Sequence, residues 1–257
     1  MPDFEYEKDL CAAFAETLPE DWTVYNETAG FDMVLVHETG AQVGVEAKLV
    51  LNPKVLLQIC ESHPQFHPPG PDFRAVLVGK VTNADLVGIS KMLGITIITV
   101  SRKSKYVSSY DSNSRTGCKW FSRPKLPKTE PLKEQRWGDN NRWLDCAPIE
   151  RLELPEYVPD VIAGDKSPVV MGAWKIKAMK VCVWVETHGK ITRAHFKALG
   201  IDASRWMTGH WLKKGAVRGE WVAGPSFPAD KFKTEHSRVY DEITFDLEKW
   251  TKEAGLA

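Results

Sequence analysis

Three charged side chains within a short stretch of the chain could act together on a phosphate ester. Asp32 lies at the start of one apolar run, and Glu46 and Lys48 lie near the end of the next. Two carboxylates held close together repel each other, and a divalent cation with oxygen ligands relieves that repulsion. A nearby lysine is not a ligand of such a cation, but it can orient water or stabilise charge on a phosphate. The residue types therefore indicate metal-assisted hydrolysis.

The pattern of apolar residues explains how the three side chains could meet. Along Gln42–Val50 the odd positions are apolar, so alternation along a strand puts Glu46 and Lys48 on one face. The preceding run, Phe31–Val36, is joined to this strand by the short turn His-Glu-Thr-Gly, which predicts a hairpin. Pairing of the two strands can bring Asp32 beside Glu46.

The first hundred residues are typical of a compact α/β unit. A helix with apolar residues four apart ends before Pro19, and Asn52-Pro53 is a typical helix start. The stretch His63–Pro71 holds four prolines and is expected to be a loop. The predicted order is α-β-β-β-α-β-α-β. Its elements are Phe4–Leu18, Trp22–Tyr25, Phe31–Val36, Gln42–Val50, Pro53–Glu61, Phe73–Gly79, Asn83–Leu93 and Ile95–Val100.

These residues resemble a known nuclease signature. Asp32, followed after thirteen residues by Glu46-Ala47-Lys48, is similar to the PD-(D/E)xK motif. The resemblance covers about residues 4–100 and is greatest to the resolvase-like branch and related phage nucleases. It implies a restriction-endonuclease-like core with the element order given above. The proline that often precedes the first aspartate in this superfamily is absent, and Phe31 stands there.

The resemblance also implies roles for the motif residues. Asp32 and Glu46 would be metal ligands, with the carbonyl of Ala47 as a third, and Lys48 would act on the attacking water or the transition state. Hard oxygen ligands favour Mg²⁺, and Mn²⁺ should substitute for it. The reaction would be hydrolysis of a phosphodiester bond in DNA.

Two further residues match positions at which members of the superfamily carry functional side chains. Many members have a glutamate on the first helix, where it serves as a further catalytic and metal-binding group. Glu7 fits this position best, and Glu5 is the alternative. A glutamine or glutamate often lies on the helix after the lysine, and Gln58 fits that position.

Other interpretations of the same residues stay open. A D…ExK pattern is short enough to occur by chance, and a glutamate and a lysine on one strand face are often a solvated pair that adds little stability. Cys60, His63 and His67 have a spacing that could suit zinc, although no fourth ligand is evident. No glycine-rich loop for a nucleoside triphosphate is present in the sequence.

Charge divides the chain into parts. Residues 1–100 hold 6 basic and 14 acidic residues, residues 101–143 hold 11 and 4, and residues 144–174 hold 2 and 6. We therefore predict an acidic nuclease-like domain over 1–100, a basic and then acidic linker or arm over 101–174, and a third part over 175–257. Basic segments of this kind are suited to a polyanion.

The last part is typical of a smaller nucleic-acid-binding domain. Helices predicted at Met179–His188, Thr192–Leu199 and Ala203–Lys213, followed by a strand at Val217–Val222, resemble a winged helix-turn-helix. Residues 175–238 hold 13 basic and 5 acidic residues. The residues expected to contact DNA are Lys190, Arg193, Arg205, Thr208, Lys213, Lys214 and Arg218.

The sequence thus favours a Mg²⁺-dependent nuclease directed to DNA by a winged helix. A second hypothesis is a non-catalytic DNA-binding regulator or assembly protein that retains the nuclease fold, and a weaker third is a nuclease acting on RNA. Winged helices also serve protein–protein contacts, which is the alternative for residues 175–257. Cutting two strands with one site per chain favours a homodimer.

Composition indicates where such a protein would work. Five cysteines, odd in number and without a CxxC pair, argue against a disulfide scaffold and for a reducing compartment. No apolar run has the length of a membrane helix, and the first residues lack the apolar core of a secretory signal. We therefore expect a cytoplasmic protein without a membrane partner, associated with the nucleoid if it binds DNA.

Overall fold

The structure, a computed structural model, describes residues 4–61, 69–100, 126–127, 143–165 and 171–256. It divides into two compact units. The first comprises Met1–Leu154 and Ile162–Pro168, and the second comprises Pro155–Val161 and Val169–Ala257. Every helix in the described part of the chain is too short or too polar to cross a lipid bilayer.

The first unit has the predicted α/β element order. Its helices and strands are α1 (Glu7–Ala15), β1 (Trp22–Thr28), β2 (Phe31–His37), β3 (Gln42–Val50), α2 (Pro53–Glu61), β4 (Phe73–Lys80), α3 (Ala84–Met92) and β5 (Thr96–Thr99). The bounds of β3 and α2 agree with those predicted, because alternation and a proline at the first helical position are strong local signals. Helix α1 is shorter than predicted at both ends.

A five-stranded mixed sheet organises this unit, in the order β1-β2-β3-β4-β5. Strands β1, β2 and β3 are antiparallel neighbours, as the predicted hairpin requires, while β3, β4 and β5 run parallel. Helix α1 packs on one face, where Leu10 and Phe14 join the core. Helix α2 packs on the other face through Val55 and Ile59. Both faces of the central strands are therefore buried.

One glycine of β3 allows a close approach between strands. The ring of Phe31 lies over Gly44, so that a Cβ atom at residue 44 would come within 2.6 Å of the ring. Phe31 is 2% exposed and belongs to the core on the α2 face. The missing side chain at residue 44 therefore lets the residue next to Asp32 fill the core.

Part of the predicted linker is built into the first unit. The amide of Gln42, which is buried, donates to the carbonyl of Leu152 and accepts from its N–H, both at 3.0 Å. Arg151 pairs with Asp72 at 2.9 Å. Residues 143–154 thus contribute to the first unit rather than forming a free connector, because their backbone groups find partners there.

The rest of the predicted linker is also divided. Residues 155–161 belong to the second unit, and residues 162–165, the returning segment, belong to the first. The basic arm predicted over 101–143 lies outside the described residues, except for 126–127 and 143, as do His63 and His67 of the zinc hypothesis.

The second unit is a helical assembly with a small sheet. Its elements are α4 (Ala173–His188), β6 (Ile191–Thr192), α5 (Arg193–Ala198), α6 (Ser204–Thr208), β7 (Leu212–Lys214), β8 (Glu220–Ala223), α7 (Ala229–Glu235), α8 (Ser237–Phe245) and α9 (Leu247–Glu253). The strands are antiparallel in the order β6-β8-β7. Its core includes Trp184 and Trp206.

Two helices of the second unit differ from prediction. Helix α4 begins six residues earlier than expected, at Ala173 rather than Met179. Helix α6 ends at Thr208, although the prediction continued it to Lys213. The chain leaves the helix at His210, whose φ of 58° is left-handed, and Lys213 and Lys214 lie on β7 instead.

A substitution of Gly44 tests the packing of the sheet. Gly44→Ala should lower the free energy of unfolding by about 1–3 kcal/mol, because the added methyl group overlaps the Phe31 ring. Gly88→Ala is the control, since Gly88 lies in α3 with open space around it. That change should stabilise the protein by about 0.5–1 kcal/mol. Urea unfolding measures both, and equal effects of the two substitutions would contradict the packing described here.

Candidate active site

The motif residues of the first unit meet at one end of the sheet. Asp32 is at the start of β2, while Glu46 and Lys48 are near the end of β3. Glu7 is the first residue of α1. In α/β sheets the carboxyl ends of parallel strands, here β3 and β4, are where ligands commonly bind. The fold therefore gathers the predicted acidic and basic groups at an end suited to a site.

Strand register puts the first two carboxylates side by side. Met33 pairs with Val45 across β2 and β3, and Asp32 and Glu46 adjoin this pair, close enough for the charge of Asp32 to raise the pKa of Glu46. The carboxylate of Asp32 accepts a hydrogen bond from the N–H of Ala47 at 2.7 Å. This bond fixes the orientation of Asp32 against the strand that carries the other motif residues.

Glu46 is the most perturbed carboxyl group of the site. Its side chain is buried, with 7% exposure, and burial together with the nearby charge of Asp32 raises its pKa to about 8. Lys48 acts in the opposite direction. Burial also raises the pKa of Asp32, against the effects of the Ala47 hydrogen bond and of Lys48. With its pKa raised to about 8, Glu46 is the carboxyl group that holds a proton at neutral pH beside Asp32.

Lys48 is held by the first helix. Its ammonium group donates to a carboxylate oxygen of Glu7 at 2.7 Å, and the two side chains are 26% and 30% exposed. Burial by itself would lower the pKa of Lys48. The hydrogen bond and charge of Glu7, together with Asp32 and Glu46, outweigh burial and raise it. Lys48 therefore stays protonated beside the acidic pair.

The oxygen atoms at this site are of the type that a hard cation prefers, but they are few. Asp32, Glu46 and the Ala47 carbonyl offer only oxygen, and the two carboxyl groups, one buried and one half-buried, favour a positive charge that reaches them. Within the described ranges, no group of three or more His, Cys, Asp and Glu side chains could hold a metal ion. Glu7, expected among the metal ligands, instead pairs with Lys48. A cation held by Asp32, Glu46 and the Ala47 carbonyl would therefore have coordination positions left for water or for a substrate phosphate.

Two other predicted residues lie outside this cluster of contacts. Gln58 is on α2, and its amide oxygen is buried without a hydrogen-bond partner among the described residues. No hydrogen bond joins Gln58 to Asp32, Glu46 or Lys48, although the charge of Glu61, three residues further on, contributes to the raised pKa of Glu46. Glu5 is exposed and precedes α1.

Tertiary structure adds two residues that the sequence pattern did not identify. Glu27, in β1, accepts a hydrogen bond from the N–H of Gly164 at 3.0 Å. Burial raises its pKa, and Asp32 also contributes. Cys11 is 2% exposed on α1, and burial and the charges of Asp32 and Glu7 raise its thiol pKa. Glu27 is the only acidic residue of β1, and no motif in this strand could have singled it out.

The seven residues predicted to contact DNA are exposed side chains of the second unit. Lys190 forms an ion pair with Glu220 of β8. Arg193 begins α5, and Arg218 lies between β7 and β8. The hydroxyl of Thr208 donates to the Ser204 carbonyl within α6 at 2.9 Å. The charged groups of this set are spread over two helices, a strand and two loops.

Arg205 has specific aromatic neighbours. Its guanidinium lies 5.0 Å from the ring centroid of Trp174 and 5.5 Å from that of Trp211. Such contacts, worth about 0.5–1 kcal/mol at exposed sites, restrict the orientations of an arginine. Arg205 is thus an ordered cation on the surface of α6, and Trp211 is partly buried rather than fully in the core.

No protein family, curated protein or solved structure matches the chain.

The raised pKa of Glu46 predicts how stability depends on pH. A carboxyl whose pKa rises from 4.5 to about 8 on folding contributes stability below pH 4.5 that is lost as the pH approaches 8. As the pH rises from 4.5 to 8, the free energy of unfolding of Glu46→Gln should therefore increase relative to that of wild type. A difference of one in pKa corresponds to about 1.4 kcal/mol, so the total increase should be a few kcal/mol.

Urea unfolding at several pH values, with a chelator present, measures this difference. Glu38→Gln, at an exposed carboxylate in the β2–β3 turn, is the control and should give a curve parallel to that of wild type. A constant difference between Glu46→Gln and wild type from pH 4.5 to 8 would contradict the perturbed Glu46.

Proposed function

We propose that this chain is a metal-dependent nuclease that hydrolyses phosphodiester bonds in DNA. The observation that carries the proposal is the juxtaposition of Asp32 and Glu46 on paired strands, with Lys48 adjacent. A buried carboxylate next to a half-buried one favours a divalent cation, and an ammonium group beside them favours an anionic substrate. A phosphodiester substrate with a divalent cation would provide both partners, since the cation would bind the carboxylates and the phosphate would accept from the ammonium group.

Asp32, Glu46 and the carbonyl of Ala47 would hold Mg²⁺, or Mn²⁺ in its place. When bound, the cation supplies Lewis-acid polarisation of the phosphate and of the attacking water. The protein contributes the fixed orientation of Asp32, through the Ala47 N–H, and a partly buried setting in which charges interact more strongly than in water.

Lys48 stays protonated because Glu7 and the acidic pair raise its pKa. A protonated lysine cannot remove a proton from water, so its role is to donate a hydrogen bond. It would neutralise negative charge that develops on the phosphate oxygens in the transition state. Glu7 accepts a hydrogen bond from Lys48 at 2.7 Å and would keep the ammonium group close to the carboxylates.

Fold topology supports the same assignment. The order α-β-β-β-α-β-α-β, with a hairpin leading into parallel strands, is similar to the restriction-endonuclease-like core. In that core the motif residues lie at the end of the central strands, as Asp32, Glu46 and Lys48 do here. Gln58 lies on α2, the helix that follows Lys48, which is the position where members of the superfamily often carry a glutamine or glutamate.

The second unit would supply DNA affinity. The order α4-β6-α5-α6-β7-β8, with sheet order β6-β8-β7, is similar to a winged helix-turn-helix. In that arrangement α6 would approach the major groove, with Arg205 and Thr208 on it, while Lys213 and Lys214 on β7 and Arg218 after it would form the wing. Basic contacts of this type bind phosphates and give affinity rather than sequence choice.

A non-catalytic DNA-binding regulator is the second candidate. The observation that favours it is that all seven residues predicted to contact DNA are exposed on the second unit. Binding through these residues would not require the carboxylates of the first unit. DNA binding without cleavage would support this alternative.

Removing the motif side chains should abolish cleavage. Asp32→Ala and Lys48→Ala should each lower the rate of Mg²⁺-dependent DNA hydrolysis by about 100-fold or more, since the first removes a ligand and the second a transition-state contact. DNA affinity should stay unchanged. The measurement is a cleavage panel of duplex, single-stranded, forked and four-way DNA with Mg²⁺ or Mn²⁺, with RNA as a competitor.

Lys91→Ala is the matched control, since Lys91 is exposed on α3. It should cleave as wild type does. Undiminished hydrolysis by both motif variants would overturn the nuclease proposal, and hydrolysis of RNA in preference to DNA would change its substrate.

Charge removal on β7 tests the DNA-binding proposal. The double variant Lys213→Ala/Lys214→Ala should bind duplex DNA more weakly, and the slope of log K against log salt should fall by about 2 in magnitude. Lys249→Ala/Lys252→Ala removes the same charge from exposed positions on α9 and should leave the slope unchanged. Equal slopes for both variants, measured by fluorescence anisotropy, would contradict a wing at β7.

A further inference from the structure

We propose that Glu27 and Gly164 form a clamp that holds the returning segment against the first turn of α1 and so positions Glu7 and Lys48. This inference rests on the proposed function, because it assigns Glu27 as a positioning residue of the same site. The sequence motif includes neither residue. Three sets of contacts support the assignment.

The first is the hydrogen bond itself. The N–H of Gly164 donates to a carboxylate oxygen of Glu27 at 3.0 Å, across 137 positions of sequence. Glu27 adopts a φ of 47°, in the left-handed region that a non-glycine residue occupies at a cost of about 1–2 kcal/mol. Ala29, in the connection from β1 to β2, also has a positive φ of 53°, so this backbone conformation belongs to the turn, and the bond from Gly164 fixes the side chain that the turn presents.

The second is the fit of Gly164 against α1. Its φ of 72° is left-handed, and a Cβ atom there would lie 3.1 Å from the carbonyl carbon of Glu7 and 3.2 Å from the N atom of Lys8. The neighbouring Ala163 is 2% exposed and belongs to the same core cluster as Leu10. The returning segment is thus in direct contact with the backbone of Glu7.

The third is the weak local support of the first turn. Tyr6, the N-cap residue of α1, makes no side-chain capping bond. A nine-residue helix without a cap depends on tertiary contacts for the order of its first turn. The returning segment supplies such contacts at Glu7, and Glu7 in turn accepts the hydrogen bond of Lys48.

Acylation of Lys48 reports the clamp without any cleavage assay. The metal-free protein is treated with a short pulse of an acetylating N-hydroxysuccinimide ester, and the peptide carrying Lys48 is measured by mass spectrometry. Exposed Lys91 is the internal reference. Glu7→Gln defines the rate when the ion pair is broken, and this should be about fivefold faster than wild type, as expected for a pair of about 1 kcal/mol.

Glu27→Ala removes the clamp and should raise the Lys48 rate toward that of Glu7→Gln. Glu27→Gln keeps an oxygen that can accept from Gly164, so its Lys48 acylation rate should equal that of wild type. If Glu27 acted through its charge instead, Lys48 would be acylated as fast in Glu27→Gln as in Glu27→Ala. Gly164→Ala should behave like Glu27→Ala. Gly255→Ala, at a φ of 66° with open space around it, is the control and should match wild type.

Wild-type Lys48 rates in both Glu27→Ala and Gly164→Ala, with a faster rate in Glu7→Gln, would overturn the clamp. A Glu27→Gln rate equal to that of Glu27→Ala would overturn the positioning role. Failure of the nuclease proposal is a separate result, namely no cleavage of any substrate by wild-type protein. The Lys48 rates remain interpretable in that case because they need neither metal nor DNA.

Discussion

Asp32 and Glu46 lie close together at one end of a sheet whose two faces are covered by the apolar sides of α1 and α2. Burying two carboxylates together is unfavourable unless a proton or a cation neutralises one charge. In the protein without a cation, Glu46 carries the neutralising proton, and it keeps this proton until the pH exceeds its raised pKa. A cation that displaced it would have to compete with protons, so cation affinity and pH are linked at this site.

The remaining polar groups of the first unit are arranged around that pair. Lys48 follows Glu46 by two residues, so alternation along β3 gives both the same face, which α2 covers through residues such as Ile59. Yet the Lys48 ammonium donates to Glu7 on α1, which covers the opposite face. The contact is therefore made at the end of the sheet. This end is also where the returning segment meets Glu27 and the first turn of α1.

The second unit obeys a different constraint. Its core is aromatic and aliphatic, with Trp206 and Trp250 buried, and its polar surface is rich in basic side chains. The tryptophans that reach the surface order a cation there, since Trp174 and Trp211 flank Arg205. Lys213 and Lys214, proposed to contact DNA, lie on β7 because α6 ends at Thr208 and the chain turns at His210, whose φ is left-handed. A longer helix would have presented Lys213 and Lys214 from a different element.

Local signals in the sequence determined the elements of the first unit. Alternation in β3, the Asn52-Pro53 helix start and the hairpin turn predicted the order of elements along the chain and the pairing of β2 with β3, and with that pairing the neighbourhood of Asp32, Glu46 and Lys48. These signals act over a few residues, so the sequence alone carries them. The pairing of Glu7 with Lys48 was not in the pattern, which assigned Glu7 to the metal. Nor were Glu27, Cys11 or the division of the predicted linker between the two units. Those features depend on contacts between residues far apart in the chain, such as Gly164 with Glu27, and only the packed structure decides which distant groups meet.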